Sequence, residues 1–230
     1  MESSQEKTGE GRDAKKYVVV AGNIGAGKSS LTRLVSSYFR WESFYERVDD
    51  NPYLPDFYED MERWSFNLQV FFLSSRFNHQ REIQTKPYSV VQDRSIYEDA
   101  EIFARNLFEM GFMTERDFRN YTELFHIMTS YLTPPDLLVY LRASVPTLVR
   151  HIQSRGREFE STIRIEYLKR LNGHYENWIN RYDLGPKLVI DTDAIDFVNL
   201  AEDRRLVIGQ IESRLFGLFP ESAETAHHED

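Results

Sequence analysis

Eight consecutive residues constrain this chain more than any others: Gly22, Asn23, Ile24, Gly25, Ala26, Gly27, Lys28 and Ser29. They follow Tyr17-Val-Val-Val-Ala21, a β-branched run that reads as a strand. They lead into a helical pattern from Lys28 to Phe39. The spacing G-x-x-x-x-G-K-[ST] between a strand and a helix is that of a phosphate-binding loop. Glycines let main-chain N–H groups approach phosphate oxygens, and the helix start adds partial positive charge. Lys28 is expected on the β- and γ-phosphates and the Ser29 hydroxyl on Mg²⁺. Gly22 to Ser30 is thus the expected ATP-binding segment. Such a loop specifies a nucleoside triphosphate but no reaction, because switch GTPases, ATPases and small-molecule kinases share it. The Asn-Lys-x-Asp segment that reads guanine in GTPases is absent.

Further strands are expected at Ser43 to Val48, Tyr88 to Gln92, Asp136 to Arg142 and Lys187 to Asp191. Helices are expected at Trp64 to Gln84, Ile96 to Met110, Thr114 to Leu132, Val145 to Arg155, Thr162 to Tyr182 and Leu200 to Phe216. Pro134-Pro135 stops the third of these. The alternation implies an α/β fold, a five-stranded parallel sheet flanked by helices on both faces. The 230 residues suit a single domain over 16–219, with polar ends at 1–15 and 220–230 expected to be disordered.

The formal net charge of −9 opposes a nucleic-acid partner and favours a small molecule. No apolar run approaches the roughly 20 residues of a membrane span, and the polar N-terminus lacks a signal-peptide core. Cysteine is absent, which excludes disulfides and thiolate metal sites. A cytoplasmic location is the expectation.

Ligands of such sheets gather outside the carboxyl ends of the strands. Glu46 closes one candidate strand and is suited to accept a proton from an attacking hydroxyl, or to be a solvated surface acid. Asp93-Arg94-Ser95 closes the next. Asp93 suits a Mg²⁺ or supporting role, and Arg94 suits orienting an acceptor and stabilising charge. Gln69 and Arg76 share one face of the aromatic-rich helix that begins near Trp64. A buried amide there fits the edge of adenine or cytosine, while an amphipathic surface helix explains the pair equally well. Arg155-Gly-Arg157-Glu-Phe-Glu160 joins two helices and suits an arginine-rich lid over triphosphate.

Together these segments resemble the deoxyribonucleoside kinases, a group that includes deoxycytidine, deoxyguanosine and deoxyadenosine kinases. The resemblance runs from about Tyr17 to Phe197 and implies the P-loop kinase fold. It implies ATP-dependent phosphorylation of a deoxyribonucleoside 5′-hydroxyl, with Mg²⁺ and a homodimer. By resemblance Glu46 is the catalytic base, Tyr58 and Glu160 hold the sugar 3′-hydroxyl, and Gln69 reads the base. Asp93-Arg94-Ser95 matches the family's acid-Arg-Ser motif, and Arg155 and Arg157 match its lid arginines. Arg76 and Asp99 match a charged pair of the deoxycytidine and purine kinases, where thymidine-accepting relatives carry smaller uncharged groups. Val48-Asp-Asp-Asn-Pro-Tyr53 looks like bacterial deoxyadenosine and deoxyguanosine kinases. A purine is the implied base, deoxyadenosine first, with deoxyguanosine or deoxycytidine as alternatives. Asn51 departs from the tryptophan of many animal members, and His151 stands where some relatives have arginine.

Two rivals share the loop. A nucleoside monophosphate kinase needs an extra cationic cradle for the acceptor phosphate, which Glu160 would repel. A nucleotide-binding regulator without turnover needs no Glu46, Tyr58 or Gln69.

Overall fold

The computed structural model describes residues 14–45, 51–157 and 163–217. Glu46, Glu160 and most of both expected disordered ends lie outside these described residues. Strand β1 spans Tyr17–Gly22 and α1 spans Lys28–Phe39; β2 is Glu42–Phe44. Helices α2, Leu54–Glu59, and α3, Met61–Thr85, precede β3, Val90–Asp93. Then come α4, Ile96–Glu98, a π-helical stretch Asp99–Ala104, and α5, Arg105–Glu109. The remainder is α6, Glu115–Thr129; β4, Leu137–Arg142; α7, Val145–Arg155; α8, Ile165–Arg181; β5, Lys187–Asp191; and α9, Ala201–Phe216.

The strands form one parallel five-stranded sheet in the order β2-β3-β1-β4-β5. The central β1 is buried along its whole length. That is why it reads as an unbroken apolar run without alternation. Its side chains alternate between two cores. Val19 and Ala21 face a cluster built from α2, α3, α6 and α8, while Val18 and Val20 face one built from α1, α7 and α9. Helices therefore cover both faces, as the strand–helix alternation predicts.

Parallel strands put all their carboxyl ends on one edge. The register pairs Val20 with Asp93 and Phe44 with Gln92. The phosphate loop and the Asp93-Arg94-Ser95 corner therefore open side by side.

Three details differ from the sequence expectation. Helix α2 occupies a Pro-containing stretch to which the sequence reading assigns no element; Pro55 sits in its first turn, where the missing N–H costs nothing. The expected Ile96 to Met110 helix is continuous but widens into a π-helix over Asp99–Ala104. The expected start of β2 shifts back to Glu42. Among the described residues, no helix is long and apolar enough to cross a membrane.

Candidate active site

The loop between β1 and α1 curls around its own backbone. Ala26 N donates to Asn23 O at 3.1 Å, and the Lys28 ammonium donates to the same carbonyl at 3.0 Å. Gly25 and Gly27 have φ of +84° and +95°, which side-chain-bearing residues rarely adopt. A Cβ on Gly25 would also lie 2.8 Å from Leu148 O, so glycine is required twice over. Asn23 fastens the loop to α8, its amide donating to Leu168 O at 3.0 Å and Asn172 Oδ1 at 2.6 Å. His151 Nδ1 lies 2.8 Å from Gly25 O, so this residue braces the loop from α7. Phe197 is buried beside Gly27.

The loop forms one wall of a cavity of about 380 Å³. Ile24, Gly25, Lys28 and Ser29 line that wall. Tyr58, Gln69, Arg76, Asp93, Arg94 and Asp99 line the others, with Arg155 and Arg157 at the end of α7. Residues separated by more than a hundred positions thus face one space. Gly22, Asn23, Ala26 and Gly27 do not line this cavity, and Ser30 is exposed on the first turn of α1.

On the phosphate side, Ser29 Oγ donates to Asp93 Oδ2 at 2.5 Å. Asp93 is 4 % exposed, and its Oδ1 is buried with no hydrogen-bond partner among the described residues. A hydroxyl and a carboxylate with an unused oxygen are hard donors of the kind Mg²⁺ takes beside phosphates. The residues present therefore fit that ion, although no cluster of three acidic or imidazole ligands exists among the described residues. A Mg²⁺ that keeps its waters and phosphate oxygens needs only one or two carboxylates.

Arg94 follows with φ of +67°, one of two non-glycine residues in the left-handed region among those described. Its guanidinium lies 4.5 Å from the centre of the Phe103 ring. Backbone strain of this kind concentrates at functional sites.

On the far side, Gln69 and Arg76 are buried rather than displayed on a surface helix. Arg76 Nε pairs with Asp99 Oδ2 at 2.6 Å, and its guanidinium sits 5.3 Å from the Phe72 ring. Gln69 Oε1 is buried and has no partner among the described residues. Such a group is costly unless a ligand completes it. Phe72, Phe103, Leu68 and Tyr167 supply apolar walls. Burial pushes the Tyr167 hydroxyl up to about 12, so it is a neutral donor at ordinary pH. Sequence reading did not single out Phe103 or Tyr167. The four-residue step from Asp99 to Phe103 is the one signal that points to Phe103.

The deoxynucleoside kinase family model matches residues 18–215. This chain belongs to the deoxynucleoside kinase family. A deoxyguanosine kinase from Lactobacillus acidophilus is 43% identical over 208 residues, covering 86% of this chain and 90% of the relative. The Bacillus subtilis deoxyadenosine/deoxycytidine kinase is 39% identical, covering 85% and 91%. Among solved structures, deoxyadenosine kinase from M. mycoides with dCMP and dCDP superposes with a TM-score of 0.76 at 28% identity, covering 86% of this chain and 99% of that one. This deoxynucleoside kinase therefore has the P-loop kinase fold, and its cavity joins the Gly-rich loop to a wall of Leu68, Phe72, Phe103 and Tyr167.

Proposed function

We propose that this kinase transfers the γ-phosphoryl of ATP to the 5′-hydroxyl of a purine deoxyribonucleoside, with deoxyadenosine preferred. One observation carries the reading of the acceptor: Gln69, whose buried Oε1 has no partner among the described residues, lines the same cavity as Lys28 and Ser29. The adenine amine donates to that oxygen while a ring nitrogen accepts from Gln69 Nε2. Phe72 and Phe103 offer faces for a flat ring.

The kinase holds the donor through the loop N–H groups and Lys28. Ser29 and Asp93 would hold Mg²⁺, which when bound offsets charge on the β- and γ-phosphates. Glu46 takes the 5′-hydroxyl proton, and Tyr58 with Glu160 holds the 3′-hydroxyl. Arg94, Arg155 and Arg157 stabilise charge spread over the transferring group. Positioning does most of the catalytic work.

We further infer that residues 16–219 form one domain and that the kinase works as a cytoplasmic homodimer. The exposed Leu124, Ile127 and Tyr131 on and after α6 support an association surface. Light scattering in solution checks this, with twice the chain mass expected.

A second reading, deoxyguanosine as the preferred acceptor, is favoured by the 43% identical relative of that name. Initial rates with Mg·ATP and deoxyadenosine, deoxyguanosine, deoxycytidine, thymidine and their monophosphates separate the readings. We expect deoxyadenosine 5′-monophosphate as the leading product. Faster deoxyguanosine turnover selects the second reading, and turnover confined to monophosphates overturns both.

A further inference from the structure

We propose that Glu98 is a positioning residue that braces Arg94 against the phosphate loop, holding the donor and acceptor halves of the site at a fixed separation. The proposal rests on the role given to Arg94 above. Glu98 itself does not line the cavity.

Glu98 is completely buried, yet its carboxylate meets three donors from distant parts of the chain. Its Oε2 accepts from Ser95 N at 2.9 Å. Its Oε1 accepts from Gly22 N at 3.3 Å and from the Tyr175 hydroxyl at 2.7 Å. Gly22 is the first residue of the phosphate loop. Ser95 N belongs to the peptide that directly follows Arg94. Tyr175 lies on α8, the helix that also receives Asn23.

The position of Ser95 N matters because Arg94 sits in the left-handed region, unfavourable for any residue with a side chain. Such a conformation persists only where its surroundings over-determine it. Arg94 N is tied to Val20 O at 3.0 Å on one side. Glu98 ties the following N–H on the other. The same carboxylate then reaches the loop, so both walls of the cavity hang on one side chain.

The chemistry asks for a carboxylate. Two main-chain N–H groups are fixed donors and each needs an acceptor, one on each oxygen. A glutamine replaces one oxygen with NH₂, so in either orientation it faces one of these N–H groups with a donor. A capping role at the start of α4 uses only the Ser95 bond. The bond to Gly22 is what separates a brace from a cap.

The test compares Glu98→Gln, Glu98→Asp and Arg94→Ala by steady-state kinetics. Glu98→Gln should lower kcat ~10- to 100-fold with KM for ATP and nucleoside nearly unchanged, the signature of misplacement rather than lost binding. Glu98→Asp can keep the local Ser95 bond but is too short to reach Gly22 as well. It should still fold, with a modest loss of thermal stability from the Gly22 N–H left without its acceptor, and lose at least ~5-fold in kcat. This variant carries the test if Glu98→Gln fails to fold. In the double variant, adding Glu98→Gln to Arg94→Ala should cost less than about 2-fold further, because both act through one group. Wild-type kcat in Glu98→Asp, or fully additive losses in the double variant, would overturn the brace. Wild-type kcat in Arg94→Ala alone would withdraw the role of Arg94 itself and the brace with it.

Discussion

The Ser29 hydroxyl donates to Asp93 Oδ2 across 2.5 Å, joining the first turn of α1 to the carboxyl end of β3. Asp93 keeps its other oxygen buried, with no partner among the described residues. The two side chains therefore form a ready oxygen pair at the edge of the phosphate loop. Replacing Ser29 with Ala, or Asp93 with Asn, should raise the Mg²⁺ needed for half-maximal rate by about 10- to 100-fold. Rates measured against free Mg²⁺ at saturating ATP check this. Unchanged Mg²⁺ curves would remove both residues from that role.

The Arg76–Asp99 pair is almost wholly shielded, with side-chain exposures of 5% and 2%. Breaking a buried pair leaves a lone charge in a poor solvent. Arg76→Met should cost about 3–5 kcal/mol in urea unfolding, and the double Arg76→Met, Asp99→Ala variant markedly less than the two single losses combined. By the family resemblance, the double variant should also gain thymidine turnover relative to deoxyadenosine. Simple additivity of the stability losses would contradict the pairing.

Glu46→Gln keeps the shape of the proposed base and removes its proton affinity. Its kcat should fall by about 10²- to 10⁴-fold while the KM for the nucleoside stays near wild type. Rapid-quench measurement of the transfer step distinguishes this from slow product release.

His174 packs beside Glu109, with Nε2 to Oε2 at 3.4 Å. Burial lowers its pKa, reinforced by Arg170 and Arg105 and opposed by Glu109. A base whose folded pKa is depressed binds a proton more readily when unfolded. Its stabilising contribution is full above about pH 6.5 and falls as the medium becomes more acid. The urea midpoint of the wild type should therefore drop more between pH 7.5 and 5.5 than that of His174→Gln. Parallel pH profiles would contradict the shift.

Much of this architecture is legible before any coordinates. Lys28–Phe39, Val145–Arg155 and Lys187–Asp191 run as the sequence indicates, because the flanking residues punctuate them. Gly27 opens α1 and Gly156 closes α7, both in left-handed conformations. Helix α2 escapes notice because Pro52 just before it and Pro55 in its first turn resemble a turn. The π-helical stretch is invisible to a 3.6-residue period, and it carries Asp99 and Phe103. The sequence also leaves open whether Gln69 and Arg76 face solvent. Their burial comes from partners such as Asp99, which lies 23 positions beyond Arg76. Glu98 is the same problem in sharper form. A glutamate in an acidic stretch suggests a solvated surface until the fold brings Gly22 and Tyr175 to it.

The central claim is that one cavity holds a purine deoxynucleoside through Gln69 while the loop holds ATP. Calorimetric binding of deoxyadenosine and of Mg·ATP to wild type and to Gln69→Leu tests it most directly. The leucine variant should bind deoxyadenosine ~10- to 100-fold more weakly, having lost the amide that completes the base edge, and should bind Mg·ATP as the wild type does. Equal deoxyadenosine affinity in the two proteins would contradict the assignment of this cavity to the base.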